Sequence, residues 1–378
     1  MESKKASPPS GARGRKSPKV KASSRKHATF EAKEHGVEGS KYQLVHELTI
    51  PNDAPLGEFH EVFGVKYSHD GSFLASACSD GAIHVYHASN GHPVTLLPAN
   101  TNREMQYMSV RWRPNDESST SNVLLATNVD GSIEHWHVNS KKRINLIRDT
   151  CEVYCSDFNT SGSAFVTGGS DSIVKIWDEQ TKQQTHSLSS SRIYECKGVE
   201  RAGHGNRIFS VKFHPDDENV VVSGAWDRNV QIWDLRSGRA ERTIFGPLLS
   251  GDAVDVKGDQ ILTGAFRSEN PLELWDYGSG QLIEQITWFH SSKGDACKLY
   301  AARFSPSSDV ESPQLIAAAG CGANEARCFD QEANNIRVGK VDAHHGLYSL
   351  DFQPNGRRLA IGGEDGSIMI IGIVRKET

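Results

Sequence analysis

A sevenfold repeat constrains this chain more than any other feature. An apolar strand, a turn, a small-residue strand ending near Asp, and a strand ending in an aromatic residue recur along it. The clearest copies are "FLASACSDGAIHVYHASNG", "NVLLATNVDGSIEHWHVNS", "AFVTGGSDSIVKIWDEQTK", "NVVVSGAWDRNVQIWDLRSG", "QILTGAFRSENPLELWDYGSG" and "RLAIGGEDGSIMIIGI", with a weaker one in "QLIAAAGCGANEARCFDQEAN". The aromatic marker falls at Tyr86, Trp136, Trp177, Trp233, Trp275 and Phe329, with Ile371 in the last copy. The intervals are 50, 41, 56, 42, 54 and 42 residues. A base period near 41 with insertions indicates a β-propeller of four-stranded antiparallel blades. Seven copies predict seven blades. The last copy supplies three strands up to "IVRKET". The segment "YQLVHELTI", Tyr42 to Ile50, alternates like a strand ahead of the first copy. It is expected to complete the last blade as its outer strand, which removes open sheet edges.

Three copies close their third strand on Trp-Asp, at Trp177-Asp178, Trp233-Asp234 and Trp275-Asp276. One copy also carries His204 in "AGHGN" and Ser223 and Asp227 in "VSGAWD" ahead of Trp233. On these residues the sequence resembles the WD-repeat family, over about residues 41–374. The resemblance implies an all-β propeller and a buried relay in which Asp227 holds His204, His204 meets Ser223, and Ser223 meets the Trp233 N–H. Each of these would be a buried polar group that needs a partner. Asp80, Asp130, Asp171 and Asp365 keep the turn Asp in other copies, without a Gly-His at the matching place. A His, a Ser and an Asp also invite a hydrolase reading. No GxSxG elbow, GxxxxGK[ST], HExxH or kinase set accompanies them. The expectation is a chain that is not an enzyme and takes no cofactor, metal or small-molecule substrate.

The first strand of each copy can be aligned on its last large residue: Tyr67, Trp112, Phe158, Phe213, Val256, Phe304 and Phe352. Four residues earlier stand Phe63, Met108, Tyr154, Phe209, Asp252, Tyr300 and Tyr348. In propellers of this family that position surrounds the top mouth of the central channel. Two residues earlier again come mostly polar or charged residues, among them Glu61, Glu152, Arg207 and Lys298. Trp226 and Phe266 precede the turn Asp, or its equivalent, in adjacent copies. One rim therefore collects Phe63, Tyr154, Phe209, Trp226, Phe266, Tyr300 and Tyr348, with Arg207 in a polar ring outside them. Aromatic anchors with polar groups around them suit a peptide guest, and ring faces suit a cation. The competing reading is a set of core residues that fill the channel. By strand alternation, Phe209 shares a face with Val211 and Phe213.

Residues 1–40 are rich in Lys, Arg, Ser, Pro and Gly with almost no apolar content, so this segment is expected to be a disordered tail ahead of a propeller over 41–374. Residues 1–27 hold nine Lys/Arg and one Glu, a net of +8, against −5 for the whole chain. Such a tail suits phosphates, import receptors or an acidic protein surface. Ser7 and Ser17 precede Pro and are candidate phosphorylation sites that would reduce its charge. Direct nucleic-acid contact is expected only through this tail, because the remainder is acidic.

Four insertions, at 113–122, 189–202, 287–298 and 305–314, lengthen loops. The third carries an exposed-looking Trp288-Phe289 pair, which the outer strand of the fifth blade would otherwise absorb. Seven cysteines include no CxxC pair, so a reducing compartment is expected, neither zinc nor disulfides being needed. Cys151 and Cys155, at strand spacing, read as two small core residues. The N-terminus has positive charge without an apolar stretch behind it, so it does not read as a secretory signal. Apolar runs such as "SIMIIGIV" are strand-length, so no membrane span is expected. The reading is an intracellular scaffold in cytoplasm or nucleus, binding a protein or peptide within a multi-subunit complex. Alternatives are a chromatin reader of modified histone tails, since "GHGN" and "KFHPDD" resemble the Polycomb propeller, or a cytoskeletal or ciliary assembly component.

Overall fold

The computed structural model describes residues 40–51, 60–98, 105–114, 120–190, 203–288, 295–306 and 312–376. Their strands form seven separate sheets of four antiparallel strands. Among the described residues a single 3-10 turn, Gln331–Ala333, interrupts the all-β pattern. In six sheets the four strands follow one another from the axis outward. The seventh runs Leu347–Phe352, Arg358–Gly363 and Ile368–Arg375, and its outer strand is Tyr42–Ile50. Tyr42 lies opposite Arg375 and Ile50 opposite Ile368. Hydrogen bonding between strands far apart in sequence thus closes the ring, as expected from the alternation of "YQLVHELTI". Apart from Ser40, the expected tail, with Ser7 and Ser17, lies outside the described residues.

The inner strands are Val62–Tyr67, Tyr107–Trp112, Val153–Phe158, Ile208–Phe213, Val254–Lys257, Cys297–Phe304 and Leu347–Phe352. They define blades 1 to 7. We call the face where each of them starts the top. Hydrophobic packing sits between neighbouring blades, not along the axis. Between blades 3 and 4, for example, Cys155, Val166, Ile176, Ile208, Val211, Phe213 and Trp233 form one buried cluster. Close approach of blades depends on a glycine in the second strand. A Cβ on Gly224 would stand 1.9 Å from Leu249 Cδ1 and 2.9 Å from Val254 Cγ2.

The top turns after the second strand require a left-handed residue just past the turn Asp. Gly81, Gly131 and Gly366 supply it with φ of 73°, 82° and 74°. Ser172 and Arg228 adopt φ of 64° at the same place, where a Cβ is disfavoured. The Asp side chain bridges the strained residue: Asp227 Oδ1 accepts from Asn229 N at 2.9 Å, and Asp171 Oδ1 from Ile173 N at 3.1 Å.

Candidate binding site at the top mouth

Six of the seven inner strands carry a β-bulge at one position. The strand ladder skips Phe63, Met108, Tyr154, Phe209, Tyr300 and Tyr348, while the residues on either side pair with consecutive partners. A bulge breaks the two-residue alternation and re-aims the extra side chain. This corrects the expectation for Phe209. It does not share a face with Val211 and Phe213, which are buried between blades 3 and 4. It turns instead to the channel mouth and is half-buried, as are Phe63, Tyr154, Tyr300 and Tyr348.

The seven aromatic residues form one continuous arc. Tyr154 stacks on Phe209 with centroids 5.1 Å apart. Phe209 meets Trp226 edge-on at 6.1 Å, Trp226 meets Phe266 at 5.7 Å, and Phe266 meets Tyr300 at 5.1 Å. Tyr300 meets Tyr348 edge-on at 5.1 Å, and Tyr348 stacks on Phe63 at 6.0 Å. Blade 5 has Asp252 where the others carry a ring or Met108. Trp226 and Phe266, from the turns of blades 4 and 5, bridge that gap. Trp226 remains 38% exposed, so the arc is open to solvent at its outer side. Lys298 places its ammonium 5.1 Å from the Phe266 centroid, and Tyr154 donates its hydroxyl proton to Glu152. Arg207 is exposed and lies outside the arc; its backbone carbonyl accepts from Trp226 N at 2.9 Å.

Inside the arc is a cavity of about 210 Å³, lined by Phe63, Met108, Tyr154, Phe209, Tyr300 and Tyr348, with Glu61 on its wall. Its floor is charged through Asp252 and Arg111, and Arg111 belongs to an axial ring that the sequence reading passed over. The residue before the last large residue of each inner strand (Tyr67, Trp112, Phe158, Phe213, Val256, Phe304 and Phe352) is ionisable in all seven blades: Lys66, Arg111, Asp157, Lys212, Asp255, Arg303 and Asp351. These signs alternate around the axis except between Lys66 and Arg111, since an odd ring cannot alternate completely. Asp252 supplies the missing negative charge. It accepts from Arg111 Nη2 at 2.6 Å and also from Arg303 Nη2. Lys66 pairs with Asp351 at 2.5 Å, and Arg111 with Asp157 at 3.2 Å. Three of the carboxylates also stitch successive blades. Asp351 accepts Tyr67 N, Asp157 accepts Phe213 N, and Asp255 accepts Phe304 N, at 2.9, 3.1 and 2.9 Å. Burial alone would raise the Asp252 carboxyl, but Arg111, Arg303, Lys212 and Lys66 hold it well below its ordinary value. Below this plug a second cavity of about 730 Å³ opens to the bottom face.

In blade 4, Asp227 Oδ2 lies 3.0 Å from His204 Nδ1, His204 Nε2 lies 2.7 Å from Ser223 Oγ, and Trp233 Nε1 donates to Ser223 Oγ at 2.8 Å. His204 is 2% exposed and Ser223 fully buried, so no substrate reaches the hydroxyl. Blades 3 and 5 keep one step, with Thr167 and Thr263 accepting from Trp177 and Trp275 at 2.9 Å each. In blade 2 the buried Glu134 takes over, accepting from Trp136 Nε1 at 2.8 Å and Tyr107 OH at 2.5 Å.

Among the described residues two other side-chain groups have metal-like composition. Cys78, Asp80 and His84 lie close together, but burial pushes the Cys78 thiol up to about 12, and Asp80 is engaged by His84 at 2.8 Å. Asp149, Cys151 and Asp171 form the second group, and the Lys175 ammonium bonds both carboxylates at 2.6 Å, filling the place of a cation. Cys151 precedes the inner strand of blade 3, so it does not share a strand face with the buried Cys155. Trp288 is not exposed. It is buried, donates to Glu325 Oε1 at 2.9 Å and stacks under the Arg327 guanidinium at 4.6 Å. Phe289 and the centres of the four insertions lie outside the described residues.

Comparison with known proteins agrees with this architecture. The family model "WD domain, G-beta repeat" matches residues 142–178, 195–234 and 336–371. The chain carries WD40 repeats within a seven-bladed propeller. A second family model, the anaphase-promoting complex subunit 4 WD40 domain, matches residues 37–115. Among curated relatives, "Protein tipD" of Dictyostelium discoideum is 26% identical over 61% of this chain and 41% of its own length. "Cilia- and flagella-associated protein 52" of Bos taurus is 21% identical over 68% of this chain and 37% of its own length. "Serine-threonine kinase receptor-associated protein" of Dictyostelium discoideum is 24% identical over 80% and 90%. The propeller thus spans about two fifths of the first two relatives. WD40 propellers generally mediate protein–protein interactions and are typically non-catalytic. Among the described residues no helix is long and apolar enough to cross a membrane.

Proposed function

We propose that this propeller is a non-catalytic scaffold that takes a peptide segment of a protein partner into its top mouth. The observation that carries this reading is the aromatic arc, in which bulges at the same place in six blades aim side chains at one cavity. A residue needed only for packing between blades gains nothing from such a bulge. Rings that are half-buried and rigid offer contact area at small entropic cost, which is how interface anchors work. The charged floor stops a guest at the upper half of the channel, so binding is by a side chain or loop and not by threading. The setting is an intracellular multi-subunit assembly. Cys78, Cys151, Cys155, Cys297, Cys321 and Cys328 are all unpaired thiols, which suits a reducing compartment.

The test is affinity recovery from cell extract with the wild-type chain and with a Phe209→Ala, Trp226→Ala double variant. The reading predicts that co-purifying partners disappear with the variant while its thermal unfolding stays cooperative. Equal recovery by a folded variant would sink it.

A further inference from the structure

The cavity wall is not electrically uniform. Where blade 7 meets blade 1, the Phe63 and Tyr348 rings stack with an interplanar angle of 12°. Glu61 lines the cavity two residues ahead of Phe63. Glu364 holds the turn position that Trp226 occupies in blade 4, and it accepts from Gly346 N at 3.1 Å. Among the described residues no lysine or arginine forms an ion pair with either carboxylate. Burial, and then Glu364, raise the Glu61 carboxyl above its ordinary value. Burial raises the Tyr348 hydroxyl, followed by Glu364 and Glu61. These two acids therefore share one region of the mouth, beside two stacked rings, and among the described residues neither is held by a lysine or arginine ion pair.

Three of the nearest cations are committed elsewhere. Lys298 sits over Phe266, and Arg111 and Arg303 are held by Asp252 below. Like charges gathered without a partner cost stability, and a cationic guest would relieve that cost. Ring faces within about 6 Å add to the attraction of a cation. Arg111 at the floor is positive, so the guest's charge halts at the level of the two carboxylates.

We propose that the top mouth takes a basic peptide segment, with one lysine or arginine side chain anchored between Glu61 and Glu364 against Phe63 and Tyr348. This rests on the peptide-binding reading of the same cavity and names its guest. Carboxylates accept hydrogen bonds, so an anchor that keeps its N–H donors is favoured over trimethyl-lysine, which has none.

The experiment is selection of a randomised displayed peptide library on the full chain, followed by binding measurements on the enriched peptides. The expected result is a fixed Lys or Arg in the enriched set. A Glu61→Gln, Glu364→Gln double variant weakens those peptides about tenfold or more, as does norleucine at the anchor. Trimethyl-lysine there also binds more weakly than lysine. Peptides without a basic anchor, lost with Phe209→Ala but unchanged by the glutamine variant, would overturn the cationic anchor and leave the peptide site standing. Equal or tighter binding of trimethyl-lysine would overturn the donor-bearing anchor. No enrichment, or peptides indifferent to both sets of variants, would overturn the anchor and the peptide site together.

Discussion

Arg111 of blade 2 donates to Asp252 of blade 5 at 2.6 Å, a bond between blades that are not neighbours. It spans the channel. Arg303 of blade 6 reaches the same carboxylate, and Ser210 of blade 4 donates to it at 3.1 Å. Asp252 thus ties four blades together at one point on the axis. It is also the residue that departs from the aromatic ring above, and the charge count explains why. The seven axial positions hold four cations and three carboxylates. Without Asp252 the ring would hold one more basic group than carboxylates, and burial together with Arg303 already pushes the Lys66 ammonium down to about 7.

Asp252→Asn should therefore destabilise the propeller by about 2–3 kcal/mol, less than the cost of breaking a fully buried pair, because Arg111 and Arg303 are buried but the Asp252 side chain is 21% exposed to the cavity. Asp252→Phe, which restores the ring of the other blades, should do no better. Urea unfolding of the two variants checks this. A loss under about 1 kcal/mol for Asp252→Asn would mean that the plug is solvated.

The same residue sets a pH dependence. The Asp252 carboxyl is held well below its ordinary 3.8, and Asp227 is also lowered, its burial being outweighed by His204 and the N–H groups of Gly205 and Asn229. An acid depressed by folding contributes stability above its unfolded value and loses it as pH falls through the folded one. Stability should hold near neutral pH and drop below about pH 4. Asp252→Asn should be less stable at neutral pH and show a shallower acid limb. Urea midpoints measured from pH 7 to pH 2.5 would show both slopes, and parallel curves would rule the linkage out.

Arg228 occupies a left-handed position with φ of 64° and is exposed. Arg228→Gly should relieve that strain and raise stability by about 0.5–1 kcal/mol, since the left-handed penalty exceeds the added entropy of glycine. Thermal unfolding provides the measurement, and a lower midpoint would show that the Arg228 side chain contributes contacts that outweigh the strain.

Gly224 offers the opposite case. A methyl group there would press on Leu249 and Val254 of the next blade. Gly224→Ala should cost about 1–3 kcal/mol through overpacking. Denaturant unfolding will show whether blade 5 can move aside.

Much of this was legible in the sequence. The repeat and its markers give seven blades, and the alternation of Tyr42 to Ile50 gives the closing strand. Phe63, Tyr154, Phe209, Trp226, Phe266, Tyr300 and Tyr348 could be gathered because they recur at fixed offsets. Their direction could not be read. A bulge adds a residue without leaving a composition signal, so strand alternation put Phe209 on the face of Val211. The charged ring did leave a signal, since Lys66, Arg111, Asp157, Lys212, Asp255, Arg303 and Asp351 each fall one residue before the last large residue of an inner strand. Side chains there are normally taken as solvent-facing, and only the closed geometry shows that they face one another. Trp288 looked exposed because its partners, Glu325 and Arg327, lie on the next blade.

The most direct measurement of the central claim places the partner on the surface. Phe245, in the outer strand of blade 4, is 74% exposed and offers a competing apolar contact. Affinity of the recovered partner should be compared for wild type, Tyr300→Ala and Phe245→Ser. The mouth reading predicts about a tenfold or greater loss for Tyr300→Ala and none for Phe245→Ser. Loss with Phe245→Ser and none with Tyr300→Ala would contradict it.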